Sequence, residues 1–403
     1  MENKRLRFFI SAGEASGDLH GADLVKELLR QSPGTGVTFL GGDMMAEAAG
    51  LPPLIHYRDM AYMGFAEVLR HLPAIARNLR TAREAIERER PDALVLIDYP
   101  SFNLKLARFA KSLGIPVFYF IAPKVWAWKE WRVKEMRRYC DKILSILPFE
   151  QDYFRRKGLE VEYVGNPSVA EVEEKRAAMP SRAEFNLRYG LDPNRPLLAL
   201  VPGSRCGEIR NNLPIMAEAA LNFPSLQPVI AGAPSVSRDF YRSLGVPSIA
   251  HIPFVEDATF PLMAHSTAAL VTSGTATLEC ALLGTPQVVC YRSSGSKLFY
   301  QLMSHVLTCP HISLPNLIAN GLDGERYANE VVPELLMHQC NPAEISTRLA
   351  RILPGEPGRQ EMLEGYRRMR SRLTDSSAPR RAAASILSSV SPSWTSGGAA
   401  ARR

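Results

Sequence analysis

Two parallel-sheet α/β domains in tandem, each doubly wound in the Rossmann-like manner, are predicted by three features of the sequence. Short apolar runs alternate with helical patterns from Leu6 to Leu147. A charged, proline-rich stretch then interrupts the alternation, which restarts at Leu197. Finally, a chain of 403 residues is longer than one ordinary core holds and is comfortable for two.

The first strand is Leu6–Ile10, and helix Leu19–Leu29 follows with Leu24, Val25, Leu28 and Leu29 on one face. Strand Val37–Leu40 and a long helix Phe65–Arg88 come next. Strand Ala93–Ile97, helix Leu104–Leu113 and strands Val117–Ile121 and Lys142–Leu147 complete a first domain, 1–165. Continuous apolar strands separated by helices require a parallel sheet covered on both faces. Residues 166–195 carry Pro167, Pro180 and Pro193 among many charges and read as a linker. The second domain, 196–375, has strands Leu197–Val201, Pro228–Ala231, Ser248–Ile252, Ala268–Thr272 and Gln287–Tyr291, closing with helices Pro333–Leu353 and Gln360–Leu373. The stretch 376–403 has the composition of a disordered tail. Ligands of such sheets bind beyond the carboxyl ends of the strands, which directs attention to a cleft between the domains.

Composition narrows the function. Apolar residues make up 46% and charged residues 22%, as in a soluble globular protein. No apolar run reaches the roughly 18 to 20 residues that span a bilayer. The opening MENKRLRFFISAGEASGD mimics a signal peptide, but its apolar run is about five residues where an h-region needs roughly 7 to 15. It reads as a strand of a cytosolic protein. The six cysteines form no CxxC pair and no Cys/His cluster, so neither a zinc site nor a disulfide framework is expected; no other metal or cofactor is expected either. A net charge of +7 points to an anionic partner: nucleic acid, a phosphorylated metabolite or a membrane face.

Five strand ends carry unusual residues. In SAGEASGDLHGADL, Gly13 and Gly17 permit a tight turn and Ser16 lets a ligand approach the backbone. Glu14 and Asp18 would repel a pyrophosphate, so this loop suits an acceptor sugar or a structural role. In VLIDYPSFN, Asp98 sits at the rim of the sheet, where partial desolvation suits a general base. Capping the next helix is its other use, which Ser101 and Asn103 could equally serve. In FIAPKVWAWKEWR, three tryptophans, Trp126 among them, accompany Lys124, Lys129 and Arg132; they could stack on a sugar or pack a domain interface. In VPGSRCGEIRNNLP, the free N–H groups after Gly203-Ser204 make an anion site and Arg205 adds a planar fork. The alternative is a surface pair between Arg205 and Glu208. Ser273-Gly274-Thr275 is a second helix start of this kind, Glu279 could accept both hydroxyls of a ribose, and SLPN supplies the amide of Asn316. A Walker loop is absent, which argues against phosphate transfer from ATP.

Eight motifs from Ser11 to Ala319, AGEASGDLHGADL, YMGFAEVL, IDYPSFNLKLA, PKVWAWKEWRVK, LPFE, VPGSRCGEIRNNLP, TSGTATLECALLGTPQVV and ISLPNLIA, resemble the lipid-A-disaccharide synthase family of GT-B glycosyltransferases. The resemblance implies a metal-independent inverting transfer from UDP-2,3-diacylglucosamine to the 6-hydroxyl of 2,3-diacylglucosamine 1-phosphate (lipid X). It implies Asp98 as the base and Arg205 on the diphosphate. Glu279 and Asn316 would lie around uridine and ribose, with Gly203, Ser204, Ser273, Gly274 and Thr275 on the phosphates. Gly13, Glu14, Ser16, Gly17, Asp18, Asn103, Trp126 and Glu208 complete the expected substrate contacts. One departure is Gly165-Asn166-Pro167, where the family commonly reads Gly-His-Pro.

Acylated substrates would give the basic charge a use. Phe65, Val68, Leu69 and Leu72 fall on one helical face flanked by Arg70, His71, Arg77, Arg80 and Arg83, a pattern for an anionic membrane surface or for an ordinary core-facing helix. A homodimer is compatible with the sequence. Competing readings are another UDP-sugar GT-B enzyme, such as an epimerase or murein-precursor transferase, and a non-catalytic protein that binds UDP-sugar or membrane. Nucleic acid is disfavoured, because the aromatic and basic residues do not interleave on any evident surface.

Overall fold

Seven parallel strands form the sheet of the first unit, in the order β3-β2-β1-β4-β5-β6-β7. They are β1 Arg7–Ala12, β2 Gly36–Gly41, β3 Ile55–His56, β4 Ala93–Ile97, β5 Val117–Phe120, β6 Lys142–Ser145 and β7 Glu162–Tyr163. The structure is a computed structural model that describes residues 5–60, 71–128, 130–292, 311–322, 329–374 and 377–390. The chain divides into two compact units, residues 1–167 with 375–403, and residues 168–374. Within the first sheet, Ile10 faces Val95 and Ile97 faces Phe120, so the carboxyl ends of β1, β4 and β5 lie side by side. All five residues of β4 are fully buried, as a strand covered on both faces requires.

The tail expected from residue 376 is, at Ala378–Val390, a helix. Ala378, Ala382, Ala383 and Ile386 are completely buried in one core with Leu24, Val25 and Leu28 of helix Ala15–Gln31. Alanines at three of the four positions let the two helices approach closely. Along the same helix Ser385 donates to Glu162 at 2.7 Å and Arg381 to the Tyr163 carbonyl at 3.1 Å. The alanine- and serine-rich composition hid the stripe, because Ile386 is the one large apolar residue among its fully buried members, with Leu387 and Val390 packed only partly against the core.

The second unit has six parallel strands in the order β10-β9-β8-β11-β12-β13: β8 Leu197–Val201, β9 Gln227–Ala231, β10 Phe254–Val255, β11 Ser266–Thr272, β12 Gln287–Tyr291 and β13 Glu334–Leu336. Two expectations are corrected here. Residues 248–252 were expected as a strand, but Pro247–Ala250 is a short helix begun by proline, and the strand comes at Phe254–Val255. The long helix expected from Pro333 is strand β13 followed by helix Pro342–Ala350, capped by Asn341. The presumed linker is also ordered. Helices Pro167–Ala177 and Arg182–Tyr189 fill most of it, the second opened by a Ser181/Glu184 capping box and anchored by buried Phe185.

Cys140, Cys280, Cys290 and Cys340 are buried free thiols and Cys206 is exposed, while Cys309 lies outside the described residues. Among the described residues, no helix is long and apolar enough to cross a membrane, and no cluster of His, Cys, Asp or Glu could hold a metal ion.

Candidate active site

At the end of β4 the backbone leaves the sheet through two consecutive left-handed residues, Asp98 at φ 42° and Tyr99 at φ 46°. Neither is glycine, and such conformations persist where the surroundings over-determine them, typically at functional sites. The Asp98 carbonyl accepts from Asn103 Nδ2 at 2.8 Å and from the Tyr119 hydroxyl at 2.5 Å. The Tyr99 hydroxyl donates to the Met60 carbonyl at 2.7 Å. A Cβ on Gly13 would lie 2.3 Å from Tyr99 Cδ1, so Gly13 gives its space to that ring. The Asp98 carboxyl is half-buried. Burial pushes it above the usual carboxylate range, and Lys124 opposes the shift.

Several residues expected on the substrate are spent on the fold. Asn103 is fully buried and its amide also reaches the Ile97 and Ser11 carbonyls, at 3.1 and 3.3 Å, while its Oδ1 accepts from Ser11 Oγ at 2.7 Å. Asp18 is buried and accepts from the N–H groups of Gly42, Met44 and Met45 at 2.6, 3.1 and 3.2 Å, which caps helix Asp43–Ala49. Gly17 packs its helix on β1, where an added Cβ would sit 3.3 Å from Ala12 Cβ. Trp126 is buried, edge-on to Phe149, and its Nε1 donates to Glu150 Oε1 at 2.9 Å; it offers no open stacking face. Glu14 is half-exposed and Ser16 exposed at the start of helix Ala15–Gln31, on the carboxyl side of β1.

Glu150 is fully buried, and the motif LPFE alone assigns it no role. It accepts from Trp126 and from Ser145 Oγ, and burial raises it to about 7. Its position one turn beyond an apolar strand, in LPFE, was the available signal. Asn166, the departure from the family pattern, is buried and donates to the Ile146 carbonyl at 3.0 Å, so it bonds backbone.

In the second unit, β8 ends in Pro202-Gly203-Ser204 and helix Cys206–Ala220 begins at once. Gly203 has φ 115°, and a Cβ there would fall 2.6 Å from Glu208 Oε2. That same oxygen accepts from the Ser204 N–H at 3.0 Å, and Glu208 Oε1 lies 3.4 Å from Arg205 Nη1. The pair anticipated as the alternative to an anion site is therefore formed, and its carboxylate rests on the donors that an anion would use. Arg205 keeps 59% of its side-chain surface exposed. At the end of β11, Gly274 and Thr275 are exposed at the start of helix Thr275–Leu283, and Ser273 Oγ donates to the Ile312 carbonyl at 3.2 Å. Glu279, half-buried one turn on, is pushed to about 7 by burial, reinforced by Glu171 and opposed by Lys175.

Asn316 does not offer its amide to a ligand. It is fully buried, donates to the Val332 carbonyl and Glu334 Oε1 at 2.9 and 2.8 Å, and accepts from the N–H groups of Val331 and Val332. Glu334, masked in the sequence by an apparent helix, also accepts from Ile312 N, Ser313 N and Ser313 Oγ. This buried network shapes the loop before helix Leu314–Asn320. Of the expected membrane residues, Phe65, Val68 and Leu69 lie outside the described residues. Leu72 begins helix Leu72–Glu89 and is 50% exposed.

Comparison with known proteins adds to this geometry. The family model for lipid-A-disaccharide synthetase matches residues 8–386. A lipid-A-disaccharide synthase of Myxococcus xanthus is 40% identical over 391 residues, covering 96% of this chain and 98% of its own. Another from Geobacter sulfurreducens is 37% identical over 390 residues, with 96% and 98% coverage. Among solved structures, S. aureus MnaA with UDP aligns at TM-score 0.63 and 12% identity, over 96% of each chain. A UDP-GlcNAc 2-epimerase of Neisseria meningitidis bound to UDP-GlcNAc gives 0.60 at 13% identity, over 96% of this chain and 99% of its own. The calicheamicin glycosyltransferase CalG4 gives 0.56 at 17%, over 96% and 98%. At these identities the structures share the fold, two parallel-sheet α/β domains of the GT-B kind, as expected from the sequence.

Proposed function

The chain belongs to the lipid-A-disaccharide synthase family, and we propose that it transfers 2,3-diacylglucosamine from UDP-2,3-diacylglucosamine to the 6-hydroxyl of lipid X, releasing UDP. The observation that carries the site assignment is the convergence of the Ser204 N–H and the Arg205 guanidinium on one carboxylate, because donors so arranged suit the diphosphate of the departing UDP. As the glycosidic bond to UDP breaks, negative charge grows on the diphosphate, and Arg205 meets it. Gly203, Ser273, Gly274 and Thr275 line the phosphate side, and Glu279 accepts from the ribose hydroxyls. Asp98 takes the proton of the acceptor hydroxyl as that oxygen attacks the anomeric carbon from the face opposite UDP, which inverts the configuration. Its half-buried position favours a carboxylate basic enough for this step.

Acylated substrates place the enzyme at a lipid surface, on the cytoplasmic face of the inner membrane. Exposed Leu72, with exposed Arg77 and Arg80 on the same helix, supports contact with anionic headgroups. The test is a transfer assay with lipid X and either UDP-2,3-diacylglucosamine or UDP-N-acetylglucosamine. A tetraacyl disaccharide 1-phosphate formed from the acylated donor alone is expected. Turnover of the unacylated donor, including its epimerisation, would overturn the substrate assignment. Sedimentation with anionic liposomes, weakened by Leu72→Glu, tests the membrane contact, and unchanged binding would remove Leu72 from it.

A further inference from the structure

We propose that Tyr119 and Asn103 are positioning residues that hold Asp98 ready for proton abstraction by clamping its carbonyl oxygen. The inference rests on Asp98 being the base. Two consecutive non-glycine residues in the left-handed region are unusual, and an unconstrained Asp-Tyr pair would leave it. What prevents this is a set of bonds without slack. The two donors to the Asp98 carbonyl, from Tyr119 at 2.5 Å and Asn103 at 2.8 Å, occupy both lone pairs of that oxygen. Asn103 is in turn fixed by Ser11, which donates to its Oδ1 at 2.7 Å, and by the Ile97 carbonyl. Tyr99 is trapped on the other side, with its ring against Gly13 and its hydroxyl on Met60.

The consequence is mechanical. The peptide linking Asp98 to Tyr99 cannot turn while its oxygen is held, so the direction in which the Asp98 side chain leaves the backbone is set by residues that never meet substrate. Tyr119 suits the task because burial, followed by the nearby Asp98 charge, raises its phenol and keeps the proton on the donor. Both residues sit beneath the rim and are completely buried, so neither competes for the acceptor sugar. Asn103, expected from the sequence as a substrate contact, thus acts through Asp98.

The experiment compares full-length wild type, Asp98→Asn, Tyr119→Phe and the double variant in the transfer assay. Removing one hydroxyl should lower kcat about 10- to 100-fold, the scale of misplacing a reacting group by about 1 Å, with KM little changed. UDP affinity by calorimetry, reporting on the second unit, should be unaltered. In the Asp98→Asn background the same change should cost less than about twofold, since contributions that act through one residue are not additive. A Tyr119→Phe loss that multiplies with that of Asp98→Asn would show a general structural effect and overturn the inference, as would wild-type kcat in Tyr119→Phe. If Asp98→Asn alone retains wild-type turnover, the base assignment itself fails. Thermal unfolding of each variant confirms that folded protein is compared.

Discussion

The carboxylate of Glu208 rests on the Ser204 N–H, 3.0 Å from its nitrogen, at the turn where an incoming phosphate would seek the same donor. Arg205, 3.4 Å from the other oxygen, is shared in the same way. A diphosphate must displace this resident anion. Because the pair is partly exposed, its worth is at most about 1 kcal/mol, so Glu208→Gln should tighten UDP binding by up to about fivefold at low salt. Titration calorimetry decides it. Weaker binding would mean that Glu208 instead orients Arg205 for the ligand.

Asp98→Asn should reduce kcat by about 10²–10⁴ with UDP affinity unaltered. The wild-type rate should fall as pH drops through the raised Asp98 pKa, because only the carboxylate can accept the proton. This acid limb should lie above the ordinary carboxylate range and vanish in the variant. A limb that survives the substitution belongs to another group.

Glu279 offers a second pH signature. With its carboxyl near 7, the form that accepts two ribose hydroxyls grows as pH rises through that value. UDP affinity relative to Glu279→Gln should therefore climb between pH 6 and about 8. A ratio that stays flat across this range removes Glu279 from the ribose.

Glu150 makes a prediction about stability. Its folded carboxyl is raised from 4.5 to about 7, so the folded state holds a proton that the unfolded chain has lost. Stability therefore falls as pH rises from about 4.5 and levels above about 7, with a span on the order of 3 kcal/mol. Glu150→Gln retains an acceptor for Trp126 and gains a donor toward Ser145. Its melting temperature should match wild type near pH 5 and exceed it near pH 8; equal melting at both would show that the carboxyl is not perturbed.

Ile386→Ala should destabilise the first unit by about 2–5 kcal/mol, since Ile386 is fully buried in the core it shares with Leu24 and Leu28. Denaturant unfolding measures it. A loss under about 0.5 kcal/mol, the usual cost at a surface position, would show the helix undocked in solution.

Much of the frame was readable from residues, for a physical reason. Strands β1, β4, β5, β8, β11 and β12 are built around continuous apolar runs, the usual sequence form of a strand covered on both faces. The short edge strands β3, β7 and β10 have only two residues each and leave no periodicity to detect. Among site residues, the Gly203 turn and the position of Asp98 were legible, because glycine and a strand-end carboxylate announce themselves. Asp18, Asn103 and Asn316, expected on the substrate, spend polar atoms on backbone groups of the fold, which the sequence hides for one common cause. A polar side chain at a strand end looks the same in sequence whether it faces a ligand or the orphan backbone groups of a neighbouring loop. The buried acceptors Glu150 and Glu334 needed the fold to be seen, since their partners come from distant residues.

The docking of Ala378–Val390 against helix Ala15–Gln31 has a consequence during synthesis. A ribosome releases the chain from its amino end, so β1 emerges early while the helix that completes its core emerges after every strand of the second unit. Until that helix has been made, Leu24, Val25 and Leu28 must wait with one side uncovered, and a nascent chain stalled before residue 378 would offer that greasy face to chaperones.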